Sequence, residues 1–248
     1  MRLQVFAIPG IGGDASLFQG VAAELAPDIH IIAHDLPGYG DAPMTKEQYG
    51  FGDLARRLAE HGRREGVERL HILGHSIGGM VAQEFALTYP ERTASLVLSG
   101  TTSFFGSADG SFQKAFLKNR LAPLDAGQSM AELAEAFSPS LLGSEAGREA
   151  ADLARRAFAA TPPEAYRMAI TCLATFNRRA DAGRIAAPCL LIAGVEDLNA
   201  PLRTMARMAE TIPGARLAVL KRTGHLAPYE KPIQLARLMR EFYKDISA

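Results

Sequence analysis

Short apolar runs alternate along this chain with segments whose apolar residues recur at helical spacing. Leu3–Ile8 is a strand-like run that stops at Pro9-Gly10-Ile11-Gly12-Gly13, a loop dense in conformationally permissive glycine. A helical stretch follows from about Ser16 to Leu25, and then the β-branched run Ile29–Ala33 ahead of the turn residues Asp35-Leu36-Pro37-Gly38-Tyr39-Gly40. Asp53 to Glu65 reads as a charged helix with Leu54 and Leu58 on one side, and Arg69–Leu73 as the third strand. Ser76 to Tyr89 carries Ile77, Val81 and Phe85 at i, i+4 and i+8, so it predicts a helix, and Pro90 ends it. Ala94–Ser99 is the fourth strand. Strands separated by single helices pair in parallel with helices on both faces, and such strands are continuous apolar runs because both faces are buried.

The rhythm breaks between about Thr101 and Gly183, where no convincing strand occurs. Helical starts replace it: Ser129 with Glu132 as a capping box, Ser144 ahead of an Ala-rich run, and Thr161-Pro162-Pro163-Glu164 with proline in the first turn. The rhythm returns with the strand Pro188–Gly194, a helix from Pro201 to Thr211, the strand Arg216–Leu220 and a last helix from Pro232 to Tyr243. The expected organisation is one α/β core formed by residues 1–100 and 184–248, with a helical cap, residues 101–183, inserted between its two halves.

One local pattern carries chemistry. Gly74-His75-Ser76-Ile77-Gly78-Gly79 lies directly after a strand and directly before a helix. Small residues let the backbone turn sharply there, so the serine hydroxyl projects above the sheet. The plainer alternative is a glycine-rich turn with Ser76 as a helix cap. A serine nucleophile needs a base, and the base an orienting acid, each in a loop after a later strand. Of six histidines only His225 stands in such a loop; His75 neighbours the serine but should point elsewhere. Glu196 and Asp197, after the fifth strand, both qualify as acid. Asp197 completes the triad Ser76, Asp197, His225. Acyl chemistry also needs backbone donors for the developing oxyanion. The N–H of Ile77 at the helix start supplies one, and the loop after the first strand supplies the second, through Ile11.

Charge narrows the partners. The 248 residues hold 27 Lys+Arg against 27 Asp+Glu, a formal net charge of zero, which argues against nucleic acid or an anionic membrane surface as partner. Cys172 and Cys189 lack disulfide or metal spacing and read as small buried apolar residues, so no metal and no cofactor is called for. No apolar run is long enough to span a membrane, and the run before Pro9 is too short for a signal peptide, so the expected location is the cytoplasm. The expected partner is a small-molecule substrate, and the oligomeric state is monomer or homodimer.

At these residues the chain resembles the α/β-hydrolase superfamily. Asp35–Gly40 resembles that family's turn after its fourth strand, Tyr89-Pro90-Glu91-Arg92 the end of the helix behind the nucleophile, and Gly194–Asp197 and Gly224-His225 its acid and histidine loops. Within it the chain is most similar to the branch of 3-oxoadipate enol-lactonases and small carboxylesterases, where a short helical cap leads into a stretch like Asp181–Pro188 and the histidine loop runs into a Glu-x-Pro like Glu230-Lys231-Pro232. Two features depart from the pattern: Pro9-Gly10 stands where the family has His-Gly, and Phe18 where it has Trp. The resemblance implies a mostly parallel sheet flanked by helices and an inserted helical cap; as a further departure, the family's N-terminal hairpin is expected to be missing.

It also implies a serine hydrolase that cleaves a carboxylic ester or lactone through an acyl-enzyme. The same triad also serves C–C hydrolysis, amide hydrolysis, acyl transfer or peracid formation, and the fold also hosts ligand receptors. The pocket should lie between the sheet and the cap, with Phe104, Phe105, Phe137 and Tyr229 as lining, and Met130 and Leu141 beside them. Cap arginines Arg120, Arg155, Arg156 and Arg167 are available to a substrate carboxylate, although charges on a helix usually form its solvated face.

Overall fold

The computed structural model describes residues 2–247. Six apolar runs become strands: β1 Leu3–Ile8, β2 Ile29–Ala33, β3 Leu70–His75, β4 Thr93–Ser99, β5 Cys189–Gly194 and β6 Arg216–Leu220. They form one fully parallel sheet in the order β2-β1-β3-β4-β5-β6. Every residue of β5 is buried, whereas the edge strands β2 and β6 are largely half-exposed or exposed. An edge strand has one neighbour and overhangs the layers that cover the middle of the sheet.

Alternation along each strand sorts side chains onto two faces. Phe6, Ile8, Ile72, Leu96, Leu98 and Leu191 meet helices α2 (Phe51–Arg64), α3 (Ile77–Thr88) and α8 (Leu202–Thr211). Val5, Ala7, Leu73, Val97, Leu190 and Ile192 meet α1 (Gln19–Leu25) and α10 (Pro232–Ile246). The helix expected from Ser16 begins instead as a 3-10 turn, Ala15–Phe18, capped by the Asp14 carboxylate, and becomes α-helical at Gln19.

Four helices lie between β4 and β5 in the chain: α4 Ser111–Asp125, α5 Met130–Phe137, α6 Arg148–Ala160 and α7 Pro163–Leu173. Ser129 caps α5 as its spacing predicts, with the Glu132 carboxylate accepting the Ser129 amide at 2.7 Å. The Ser144 start does not occur. Gly147 precedes α6, and the Ser144 amide and hydroxyl donate to the Glu196 carboxylate instead. Met130, Leu133, Ala134, Phe158, Tyr166 and Ile170 form a small core of their own. Helix α7 faces two ways, for Ala165, Met168, Ala169 and Cys172 pack with α2 and α3. Cys172 and Cys189 are free, buried thiols whose pKa burial pushes up to about 12. Among the described residues no helix is long and apolar enough to cross a membrane.

The chain enters at β1, moves outward to β2, and returns across β1 to β3 before running on to β6. Strand order therefore reverses between β1 and β3, and the loops after these two strands diverge at one place above the sheet. Parallel α/β sheets open their binding crevice at such a point.

Candidate active site

The turn from β3 into α3 is forced by close approach. A Cβ on Gly74 would lie 2.4 Å from the Gly78 carbonyl oxygen, and one on Gly78 would lie 2.1 Å from that of Ile8. Only glycine allows the helix to leave the strand so abruptly and rest against β1. Between them Ser76 is held at φ 54°, ψ −120°, a conformation that costs a non-glycine residue about 1–3 kcal/mol. The surroundings over-determine it. Its amide donates to the Ser99 carbonyl at 3.0 Å, and its carbonyl accepts the Thr101 hydroxyl at 2.7 Å. Its own hydroxyl makes no capping bond to α3, which sets aside the plain helix-cap alternative.

The Gly194–Asp197 loop separates the two acids. Asp197 is 2 % exposed; one oxygen accepts the amides of Asn199 at 2.8 Å and Ala200 at 2.9 Å, and the other accepts His225 Nδ1 at 2.8 Å. Burial pushes this carboxyl up, but the His225 imidazole and the two amides outweigh it and hold the pKa below the usual range. Glu196 turns the other way, to Ser144.

The histidine loop is gripped by the stretch before α6. The His225 amide donates to the Leu141 carbonyl at 2.7 Å. The Glu230 carboxylate, from the short helix α9 (Ala227–Glu230), accepts both the Gly224 amide at 3.0 Å and the Gly143 amide at 2.9 Å. Burial raises the Glu230 pKa, and those amides oppose it. Glu145, paired with Arg222 and Lys231, ties the same loops at their exposed rim. Glu230 thus ties the His225 loop to the Gly143 stretch through the backbone. Its place in Glu-x-Pro was visible in the sequence, but its partner Gly143 was not, because it comes from a distant loop.

His75 does not point away. Its ring is fully buried, packs 4.9 Å from the His225 ring, and lines the cavity. Its Nε2 has no partner, and burial together with His225 lowers its pKa to about 3, so it is neutral. Outside the site, His34 and His61 pair with each other at 2.9 Å, and His71 meets the Ser95 hydroxyl at 2.8 Å.

Ser76, His75, His225 and Ile11 line one cavity of about 240 Å³ beneath the inserted helices. Ile77 is the first residue of α3, so its N–H lies at a helix start, where four amides have no intrahelical partner. Among the described residues neither the Ile77 nor the Ile11 amide finds an acceptor in the chain. Phe105 and Tyr229 line the cavity, as does Leu141. Phe104 and Phe137 do not. Phe104 lies in an outer groove under the Arg179 guanidinium and bridges to Asn177, while Phe137 faces the Phe158 ring beneath Arg120. Met130 is buried in the small core of the inserted helices.

Residues that the sequence reading missed also line the cavity: Phe112 and Phe116 from α4, beside Arg120, which it named as a cap arginine, and Phe158 and Tyr166 from α6 and α7. The α4 pair was detectable in principle, because with Arg120 its spacing is i, i+4, i+8 on a helix with no buried residue. Among the described residues no group of three or more His, Cys, Asp or Glu is placed to hold a metal ion.

Comparison with known proteins bears out the fold. A family model described as alpha/beta hydrolase fold matches residues 5–232. A candidate carbamate hydrolase, RutD, of Variovorax paradoxus is 31 % identical over 96 % of this chain and 91 % of its own length. A pimeloyl-[acyl-carrier protein] methyl ester esterase of Aeromonas salmonicida is 27 % identical over 94 % and 92 %. The crystal structure of the enol-lactonase from Burkholderia xenovorans superposes with a TM-score of 0.89 at 22 % identity, covering 98 % of this chain and 92 % of that one. With a matching family model over nearly its whole length, a parallel sheet in the order above, and a serine on the strand-to-helix turn, the chain belongs to the α/β-hydrolase fold family.

Proposed function

We propose that this protein is a serine hydrolase that cleaves a carboxylic ester or lactone of a small molecule by way of an acyl-enzyme. The observation that carries the reading is the buried Asp197–His225 pair, whose imidazole lines the same cavity as a serine whose hydroxyl is not spent on capping. Ser76 Oγ attacks the carbonyl carbon, and His225 Nε2 takes its proton. Asp197 accepts the Nδ1 proton, selects that tautomer and stabilises the imidazolium that forms. The amides of Ile77 and Ile11 receive the oxyanion, each worth about 3–4 kcal/mol in the transition state. His225 returns the proton to the leaving alcohol, then deprotonates a water that releases the acid.

The RutD relative favours a second reading, in which the leaving group is a carbamate nitrogen. The same residues serve it, but His225 must then protonate a poorer leaving group before the C–N bond breaks.

Labelling by a fluorophosphonate probe tests the assignment. The wild-type chain should be labelled at Ser76 and should hydrolyse p-nitrophenyl butyrate, and Ser76→Ala should lose both. Labelling or turnover that survives Ser76→Ala would overturn the nucleophile, and a wild-type chain inert to both would favour a ligand receptor.

A further inference from the structure

Of the four cap arginines singled out from the sequence, Arg155, Arg156 and Arg167 stand away from the cavity. Arg155 pairs with Glu135 and Asp152, Arg167 pairs with Asp125 at 2.6 Å, and Arg156 is exposed. Arg120 differs. It lines the cavity and has no carboxylate partner among the described residues. Its guanidinium lies over the Phe137 ring at 4.2 Å and the Phe116 ring at 5.5 Å, so aromatic faces hold it while its N–H edge remains free to bond. No aspartate or glutamate lines the cavity, and Arg120 is the one lysine or arginine among its lining residues.

A second donor stands in the same place. Tyr166 is 1 % exposed, lines the cavity, and its hydroxyl proton finds no acceptor. Burial pushes its phenol up, while the Arg120 charge and an Arg120 N–H directed at the phenol oxygen oppose the push, so the group is a neutral O–H. A buried hydroxyl and a guanidinium without an acceptor are both costly unless something satisfies them. A carboxylate does so: its two oxygens match the guanidinium fork and still accept from a phenol.

We propose that the cavity takes an ester or lactone bearing its own carboxylate, bound by Arg120 and Tyr166 on the inserted-helix side while the scissile carbonyl faces Ser76. The proposal rests on the serine-hydrolase reading. It converts a chain of zero net charge into an enzyme selective for small anions, because the relevant charge is one uncompensated cation in an apolar chamber.

The test compares mono-p-nitrophenyl adipate with p-nitrophenyl hexanoate, which differ in having a carboxylate or a methyl at the far end. The ratio of their kcat/KM values cancels losses common to both. Wild type should favour the adipate, chiefly through KM. In Arg120→Gln the ratio should fall at least tenfold, in Tyr166→Phe severalfold, and Arg167→Gln should keep the wild-type ratio. An unchanged ratio in Arg120→Gln overturns the proposal. If neither ester is turned over, the hydrolase reading fails instead. Calorimetric titration with free adipate then decides the anion site by itself: binding lost in Arg120→Gln supports it, while equal binding in both proteins, or none to wild type, overturns it.

Discussion

Replacing Asp197 by asparagine isolates the role of the acid, because the surroundings dictate how the new amide must sit. One Asp197 oxygen accepts two backbone amides, from Asn199 at 2.8 Å and Ala200 at 2.9 Å. An asparagine that turned its NH2 group toward them would lose two hydrogen bonds and bury two unsatisfied donors, at about 1–3 kcal/mol each. Its carbonyl oxygen therefore stays with the amides, and its NH2 group faces His225 Nδ1. That nitrogen must then accept, so the ring proton moves to Nε2, where the base is needed. The imidazole is retained in the wrong tautomer, for which the expected loss in kcat is about 10⁴-fold, or about 5.5 kcal/mol of transition-state stabilisation. Hydrolysis of p-nitrophenyl butyrate measures the rate, and ¹⁵N shifts of His225 report the tautomer. Activity within tenfold of wild type, or a proton remaining on Nδ1, would refute the reasoning. Because the Asp197 pKa lies below its unfolded value, the native carboxylate contributes stability above about pH 4 and loses it as pH falls through the folded pKa.

Two further outcomes follow from the same site. Ser76→Gly removes the side chain from φ 54°, so it should be inactive yet more stable than Ser76→Ala by about 1 kcal/mol, a rise of roughly 2–4 °C by calorimetry; equal melting temperatures would deny the strain. His75, with its pKa pushed down to about 3, refuses a proton that the unfolded chain accepts below about pH 6.5, so stability should fall by about 1.4 kcal/mol per pH unit, roughly 2 kcal/mol by pH 5. Urea unfolding at pH 7 and pH 5 should show that dependence weakened in His75→Gln, and identical slopes in the two proteins would contradict it.

The elements of the sheet and the order of the site residues could be read directly from the chain. An apolar strand buried on both faces needs no long-range knowledge to be recognised, and each of the six runs lies within two residues of its observed strand. Glycines at 74 and 78 betray a turn whose tightness is local. Errors collected where the answer depended on packing. Ser144 has the chemistry of a helix cap, but Glu196 stands close enough to take both of its donors. His75 seemed a bystander because a neighbour in sequence was assumed to face elsewhere, yet its ring lies against His225. Phe104 and Phe137 are aromatic residues in the right segment, but Phe112 and Phe116 of α4 line the cavity in their place, beside the expected Phe105.

The alternation of elements, the sharp strand-to-helix turn at Ser76, and a downstream acid and histidine were legible in the chain alone, since each depends on residues within a few positions of one another. The tertiary structure set Asp197 rather than Glu196 against His225, joined Gly143 to Glu230 beside the histidine loop, and left Arg120 without a counterion while Arg155 and Arg167 pair with theirs. The reason is physical: hydrophobic periodicity is a property of one segment, whereas the partner of a charge is whichever group the rest of the fold brings within hydrogen-bond reach.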